Sequence, residues 1–242
     1  MTSANQDLTF YITSNHPCSY LEDKEAKTVY LDPNHPISYN DYQLLTHNGF
    51  RRSGDNLYTP KCDGCNGCLS SRVRVRDFTP TRKQRRILRK NKALTLHREK
   101  ATFNNEHYAL YEKYINQRHC DGEMYPASEK QYKDFLFSRW ANTDTLEFRL
   151  SGEIVAVAFI DVLEDGLSAI YTFFDPDFHQ HSLGVYCILK QIELCQQQQF
   201  DYLYLGFWIN GCQKMRYKAE YQPLELYLHG FWQQYDTTHP FG

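Results

Sequence analysis

Between Leu146 and Ile209 the order of elements is tightly constrained. Leu146 to Leu150 reads as a strand, Ser151-Gly152-Glu153 as a turn and Ile154 to Val162 as a second strand. Glu164-Asp165-Gly166 turns into a third strand, Leu167 to Phe174, which Asp175-Pro176 stops. Val185, Ile188, Leu189, Ile192 and Cys195 then recur at helical spacing. Tyr202 to Ile209 is nearly continuous in apolar residues, as a strand covered on both faces must be.

Three sequential strands, a helix and a further strand predict a mixed α/β (α+β) layer, similar in order to the GCN5-related N-acetyltransferase (GNAT) fold. Upstream, Phe103, His107, Leu110, Tyr111 and Tyr114 share a helical face. Ser128 with Gln131 predicts a capping box. Residues 1–80 hold short extended runs and turn residues, including Thr9 to Ile12, Thr28 to Leu31 and Gly49 to Gly54. They predict a small, cysteine-containing N-terminal lobe, with residues 81–242 carrying a basic helix and the catalytic lobe. No apolar run approaches a membrane span and the N-terminus lacks an export pattern, so a cytoplasmic protein with no membrane partner is expected.

Charge is concentrated. Twelve Lys or Arg lie between Arg72 and Lys100 against two acids, Asp77 and Glu99, making that segment about +10. The whole chain is formally −2 with 27 basic and 29 acidic side chains, so the remainder comes to about −12. On a helix, Arg82, Arg85, Arg89 and Lys92 share one face while Ile87 and Leu94 share the opposite one. Such a face suits either plain solvation or a phosphate backbone, whose counterions each docked cation releases.

Cys62, Cys65 and Cys68 stand at three-residue spacing, and Cys18 supplies a fourth thiol. Four thiolates suit zinc or an iron–sulfur centre; the alternative is reduced cysteines in a glycine-containing loop. Cys120, Cys187, Cys195 and Cys212 are scattered and carry no expected chemistry. Where an acetyl-coenzyme-A enzyme would place a diphosphate-binding loop, residues 175–184 keep only Gly184, flanked by Leu183, Val185 and Tyr186. If the fold is right, the acyl donor is not coenzyme A.

Cys18-Ser19-Tyr20-Leu21, Gly49-Phe50-Arg51-Arg52-Ser53-Gly54, the cysteine cluster running into Arg72-Val73-Arg74-Val75, and Gln84 to Asn91 resemble the N-terminal half of the arginyl-tRNA-protein transferase family. Arg118 to Met124, Tyr171 to Pro176, Leu183 to Tyr186, Leu205 to Ile209 and Met215 to Lys218 resemble its C-terminal half in the same order. The compact length is most similar to the bacterial leucyl-transferring branch. This resemblance implies transfer of leucine from leucyl-tRNA to proteins beginning with Asp or Glu, creating an N-degron. It also implies a metal or iron–sulfur centre held by cysteines in eukaryotic relatives. Only Cys18 carries over from their first cysteine motif, because Leu21 stands where a second cysteine would be.

Aminolysis of an activated ester needs no cofactor for its chemistry. It needs the amine positioned, its proton accepted and the oxyanion stabilised. Candidate ligands of the acceptor carboxylate are Arg76, Lys214, Arg216 and Lys218. Asp175 and His119 are candidate proton acceptors, with the terminal ribose of the tRNA as an alternative relay. Arg82, Arg85, Arg89 and Lys92 are the candidate tRNA contacts, and Cys18, Cys62, Cys65 and Cys68 the candidate metal ligands. An acetyl-coenzyme-A enzyme of the same fold and a non-catalytic RNA-binding module are the competing classes.

Overall fold

The computed structural model describes residues 8–236. The N-terminal part builds β1 (Phe10–Ile12), β2 (His16–Pro17), β3 (Glu25–Ala26), β4 (Thr28–Leu31), α1 (Tyr39–His47), β5 (Arg51–Ser53) and β6 (Asn56–Pro60). There follow β7 (Leu69–Arg74), α2 (Arg82–Lys90), β8 (Thr95–Lys100), α3 (Asn105–Arg118), α4 (Glu129–Leu136) and β9 (Thr143–Leu150). The chain continues through β10 (Glu153–Val162), β11 (Gly166–Phe174), α5 (Leu183–Gln197), β12 (Tyr202–Trp208), α6 (Gln213–Arg216), β13 (Leu224–Leu228) and β14 (Phe231–Gln234).

Two main sheets form. The smaller has the order β1-β4-β6-β5, and the larger β14-β13-β7-β12-β11-β10-β9-β8. Period-2 alternation sends Ala156, Ala158 and Ile160 of β10 to one face of the large sheet, against Ile188, Leu189 and Ile192 of α5 and Ile87 of α2. Val157 and Phe159 point the other way, to Leu110, Tyr111 and Ile115 of α3 and Tyr132 and Leu136 of α4. Leu203 and Leu205 of β12 pack on the first face and Tyr204 on the second, so this strand is covered on both sides as its sequence predicts.

A boundary at residue 80 does not describe the large sheet. β7 lies between β13 and β12, so a strand encoded before residue 80 is central to it. Helix α1, through Tyr42 and Leu45, and the small sheet, through Leu57, dock against Leu163 and Tyr204. Beside them, Arg52 pairs with Asp161 at full burial. Tyr42 Oη donates to the same carboxylate at 2.6 Å and Thr143 Oγ1 at 2.7 Å.

One feature positions the site. β11 and β12 form the only parallel pair among the described strands of the large sheet, and their register covers just Gly166–Ser168 against Tyr202–Tyr204. Beyond it β11 stays with β10 as far as Phe174, while β12 stays with β7 as far as Trp208. The parting coincides with an irregularity in the β12–β7 register between Tyr204 and Gly206, where Gly206 holds φ +81. A split therefore opens between the C-terminal halves of the two strands.

Candidate active site

Arg51, from β5, lies across that split. Its Nη1 donates to Ser168 Oγ at 3.0 Å and its Nη2 to Ala169 O at 2.7 Å, both on β11. A Cβ built on Gly206 of β12 would stand 3.5 Å from its Nε, so the guanidinium touches both strands. Lys218 Nζ donates to Phe207 O, the next residue of β12, and lies 3.4 Å from Met215 Sδ. Burial, reinforced by the Arg51 charge and opposed by Cys212 and Cys68, pushes Lys218 down to about 7. Burial likewise lowers Arg51 below the ordinary guanidinium range.

Loop residues after α3 and the short α6 come together at this end of the strands. His119 caps the C-terminus of α3, half-buried with its ring 4.9 Å from Tyr114. Burial first, then Arg118 and Lys214, depress its pKa below the usual imidazole range, so the ring is neutral near pH 7. Lys214 pairs with Asp121 at 3.2 Å, and Ser19 Oγ donates to Glu123 at 3.0 Å, tying the Cys18 segment to the same loop. The Arg118 guanidinium lies 5.3 Å from the centre of the Phe174 ring.

The other expected site residues are placed as follows. Asp175 is held by Lys113 at 2.7 Å and caps the turn Pro176–His181 by accepting from Asp177 N at 2.9 Å. Arg216 is exposed on α6, near Lys214 and Lys218 in sequence. Arg76 stands apart from them: it pairs with Asp201 at 2.7 Å, just before the opposite end of β12. Lys214, Arg216 and Lys218 are thus brought to one end of β12 and Arg76 is not.

Reading the sequence missed Arg51. Its signals were its place in the Gly49 to Gly54 motif and the pair Arg51-Arg52 in an extended run, which period-2 alternation sends to opposite faces. Arg52 finds Asp161, whereas no carboxylate bonds Arg51 among the described residues.

The basic segment divides by partner. Arg72 pairs with buried Glu225, Arg74 with Asp77 and Glu225, Lys83 with Glu220, and Arg98 and Lys100 with Asp144. Arg82, Arg85, Arg86, Arg89, Lys90 and Lys92 are exposed and form no ion pair with an acid among the described residues. Helix α2 begins at a reciprocal capping box between Thr81 and Gln84. It ends at Lys90, earlier than an eleven-residue face would need, because Asn91 caps it. Asn91 Nδ2 donates to Ile87 O at 3.0 Å and to His181 O at 2.8 Å. Lys92 therefore lies beyond the helix, in a groove with Leu88, Leu94 and Tyr186.

Cys18, Cys62, Cys65 and Cys68 are half-buried free thiols. Burial, with the nearby Cys18, Cys62, Cys65 and Cys212, pushes Cys68 up to about 12. Cys62 and Cys65 face each other across a bridge closed by Gly64 at φ +69, a turn that presents two thiols to one side. Soft donors in that arrangement fit a thiophilic metal in kind. In spacing they do not close on one point. Among the described residues, the one group of three donors with all ligand atoms within 4.8 Å is Glu99, His107 and Glu147. There His107 Nε2 lies 2.9 Å from Glu147, which also pairs with Arg149. Cys187 and Cys195 sit in the core as small apolar residues.

Gly184 has a packing role: a Cβ there would stand 3.3 Å from the Phe174 ring. Helix α5 starts from Ser182 at φ +52 with no side-chain cap, and Leu183 and Tyr186 of its first turn are buried. Apolar packing takes the place of closely spaced glycines in that turn.

Comparison with known proteins identifies the family. The profile of the arginine-tRNA-protein transferase N terminus matches residues 16–86, and that of the C terminus matches residues 106–228. The chain is 53% identical over 235 residues to the aspartate/glutamate leucyltransferase of Alcanivorax borkumensis, covering 97% of each chain. It is 49% identical over 233 residues to that of Saccharophagus degradans, covering 96% of this chain and 98% of the other. Among solved structures, the C-terminal domain of a lysylphosphatidylglycerol synthetase from Agrobacterium fabrum is 14% identical with a TM-score of 0.45, covering 59% of this chain and 47% of that one. That likeness is too distant to bear on the site.

Proposed function

This chain belongs to the arginine-tRNA-protein transferase family, and from that premise we propose that it moves leucine from leucyl-tRNA to the α-amine of proteins beginning with Asp or Glu. The observation that carries this reading is identity near 50% over almost the whole length of relatives named aspartate/glutamate leucyltransferase. The product is a leucine-headed N-degron. An acetyl-coenzyme-A donor is disfavoured because the first turn of α5 is packed with Leu183, Gly184 and Tyr186.

In the reaction the acceptor amine attacks the ester carbonyl. A C–N bond forms, the C–O bond to the terminal ribose breaks, and the ribose oxygen leaves with a proton. The amine must lose a proton on the way. Of the two candidates His119 is better prepared, since its depressed pKa keeps the ring neutral near pH 7. Asp175 is already engaged by Lys113. Lys214, Arg216 and Lys218 are available to the acidic acceptor from one end of β12. The β11–β12 split supports a GNAT-like catalytic layer, in which that opening receives both substrates. The unpaired cations of α2 and Lys92 would carry the tRNA.

By the kind of their donors Cys18, Cys62, Cys65 and Cys68 would hold a structural zinc or iron–sulfur centre, and the transfer chemistry is expected to need no cofactor. Elemental analysis of anaerobically purified protein should find a bound transition metal, and less than about a tenth of an equivalent rejects it. A charged-tRNA donor supports a cytoplasmic reaction, and no described helix is long and apolar enough to cross a membrane.

The test is direct. Purified protein is incubated with leucyl-tRNA or arginyl-tRNA and peptides beginning with Asp, Glu, Asn or Ala, and products are read by mass spectrometry. Leucine should appear on the Asp and Glu peptides. Transfer to none of them, or arginine in place of leucine, refutes the reading.

A further inference from the structure

Among the described residues four Arg or Lys are buried: Arg51, Arg52, Arg72 and Lys218. Two have carboxylates, Arg52 with Asp161 and Arg72 with Glu225. The other two, Arg51 and Lys218, have only neutral partners, and they reach consecutive residues of β12, Gly206 and Phe207, where β11 and β12 part. We infer that Arg51 and Lys218 together receive the side-chain carboxylate of the acceptor's first residue, an inference that rests on the leucyl-transfer reading above.

Both side chains are held in place by uncharged groups. Arg51 is fixed by Ser168 Oγ and Ala169 O, which orient the guanidinium without neutralising it. Gly206, at φ +81, puts no side chain over the Nε edge. Lys218 is anchored on Phe207 O, one residue along the same strand. Asp161, whose charge reaches Arg51, is already bonded by Arg52, Tyr42 and Thr143. Burying the Arg51 guanidinium without a counter-ion is unfavourable, and Lys218, pushed down to about 7, is only partly charged near neutral pH; an entering carboxylate offsets the first cost and holds Lys218 protonated. The two are neighbours through β12, since Arg51 lies over Gly206 and Lys218 bonds the carbonyl of Phe207, the next residue.

The site's depth selects the anion. Arg51 is 8% exposed and Lys218 5%. A phosphodiester carries chain on both sides and cannot bring its oxygens to groups so covered. A carboxylate on one or two methylenes can. With its side chain held there, the acceptor's α-amine, two or three bonds away, is confined to the same opening, so one contact serves selection and positioning together. An amide in place of the carboxylate would leave the buried guanidinium uncompensated, so peptides beginning with Asn or Gln should be poor acceptors.

Leucyl transfer to two peptides differing only in Asp or Asn at the first position tests this in wild type, Lys218→Met, Arg51→Met and the charge-keeping Arg51→Lys. Either Met variant should lower kcat/KM for the Asp peptide by about thirty-fold or more. The Asn peptide should change little, so the preference collapses, while Arg51→Lys should keep much of it. A merely structural role lowers both peptides alike; an unchanged Asp-to-Asn ratio in both Met variants overturns the inference while the leucyl-transfer reading stands. Wild-type protein that never modifies the Asp peptide overturns the reading itself. Should a variant not fold, methyl NMR on wild type decides. The chain has three methionines, and Met215 Sδ lies 3.4 Å from Lys218 Nζ. The Met215 methyl resonance should shift with an Asp dipeptide and not with the Asn dipeptide, and equal responses overturn the inference.

Discussion

Helix α2 and the β11–β12 split both present cations without acidic partners, under opposite conditions. On α2 the side chains are in water, where an unpaired charge costs little and salt screens it within about 8 Å at physiological strength. In the split, Arg51 and Lys218 are covered, where each unpaired charge is expensive and salt cannot reach it. The first arrangement holds a long polyanion through many weak, interchangeable contacts. The second reads one carboxylate through a few irreplaceable ones. A reaction joining a tRNA to an acidic N-terminus needs both kinds.

The largest effect that sharpens this contrast concerns adjacent residues. Arg52→Met strands Asp161 in the core and should cost about 3–5 kcal/mol of stability, read as a lower midpoint in denaturant. Arg51→Met strands no carboxylate, only Ala169 O and the Ser168 hydroxyl, and should cost about 1–3 kcal/mol. Comparable costs would mean that Arg51 is as structural as its neighbour, and the contrast would fail at its buried end.

At the exposed end the effect is smaller and spread out. Arg85→Ala with Arg89→Ala should lower the slope of log tRNA affinity against log salt by about 1.4–1.8. The Michaelis constant for leucyl-tRNA should rise while kcat changes little. Identical slopes in wild type and the double variant would remove α2 from the tRNA interface. Smaller still is the acid side of the pH profile. If His119 accepts the proton, activity at saturating substrates is lost only as pH falls through its depressed pKa, below the ordinary 6.5. His119→Gln should abolish that limb, and a limb unchanged in the variant would leave the proton to the tRNA ribose.

How far the sequence foretold this follows from which interactions are local. The run from β9 to β12 is where its turns and periodicities place it, because Ser151-Gly152 and Glu164-Asp165-Gly166 punctuate it within a few residues. The central place of β7 was not legible, since its partners β12 and β13 come more than a hundred residues later. Ser128 caps α4 by accepting from Gln131 N at 3.2 Å, but Gln131 Oε1 stays unpaired, so only half of the expected box forms. Helix α2 stops at Asn91 because of His181, ninety residues away. The same limit hid Arg51. Alternation separates it from Arg52, but only tertiary packing decides which of the two meets Asp161 and which is left facing the split.

The central claim is that exposed cations hold the donor and buried cations read the acceptor. It is tested by the salt dependence of the two Michaelis constants in the unmodified protein. If Arg82, Arg85, Arg89 and Lys92 each contact one phosphate, a fourfold rise in salt should raise the constant for leucyl-tRNA by roughly fifty- to 150-fold. The constant for an Asp peptide should rise by no more than about threefold, because its carboxylate is bound out of reach of the salt. Equal salt slopes for the two substrates would contradict the account.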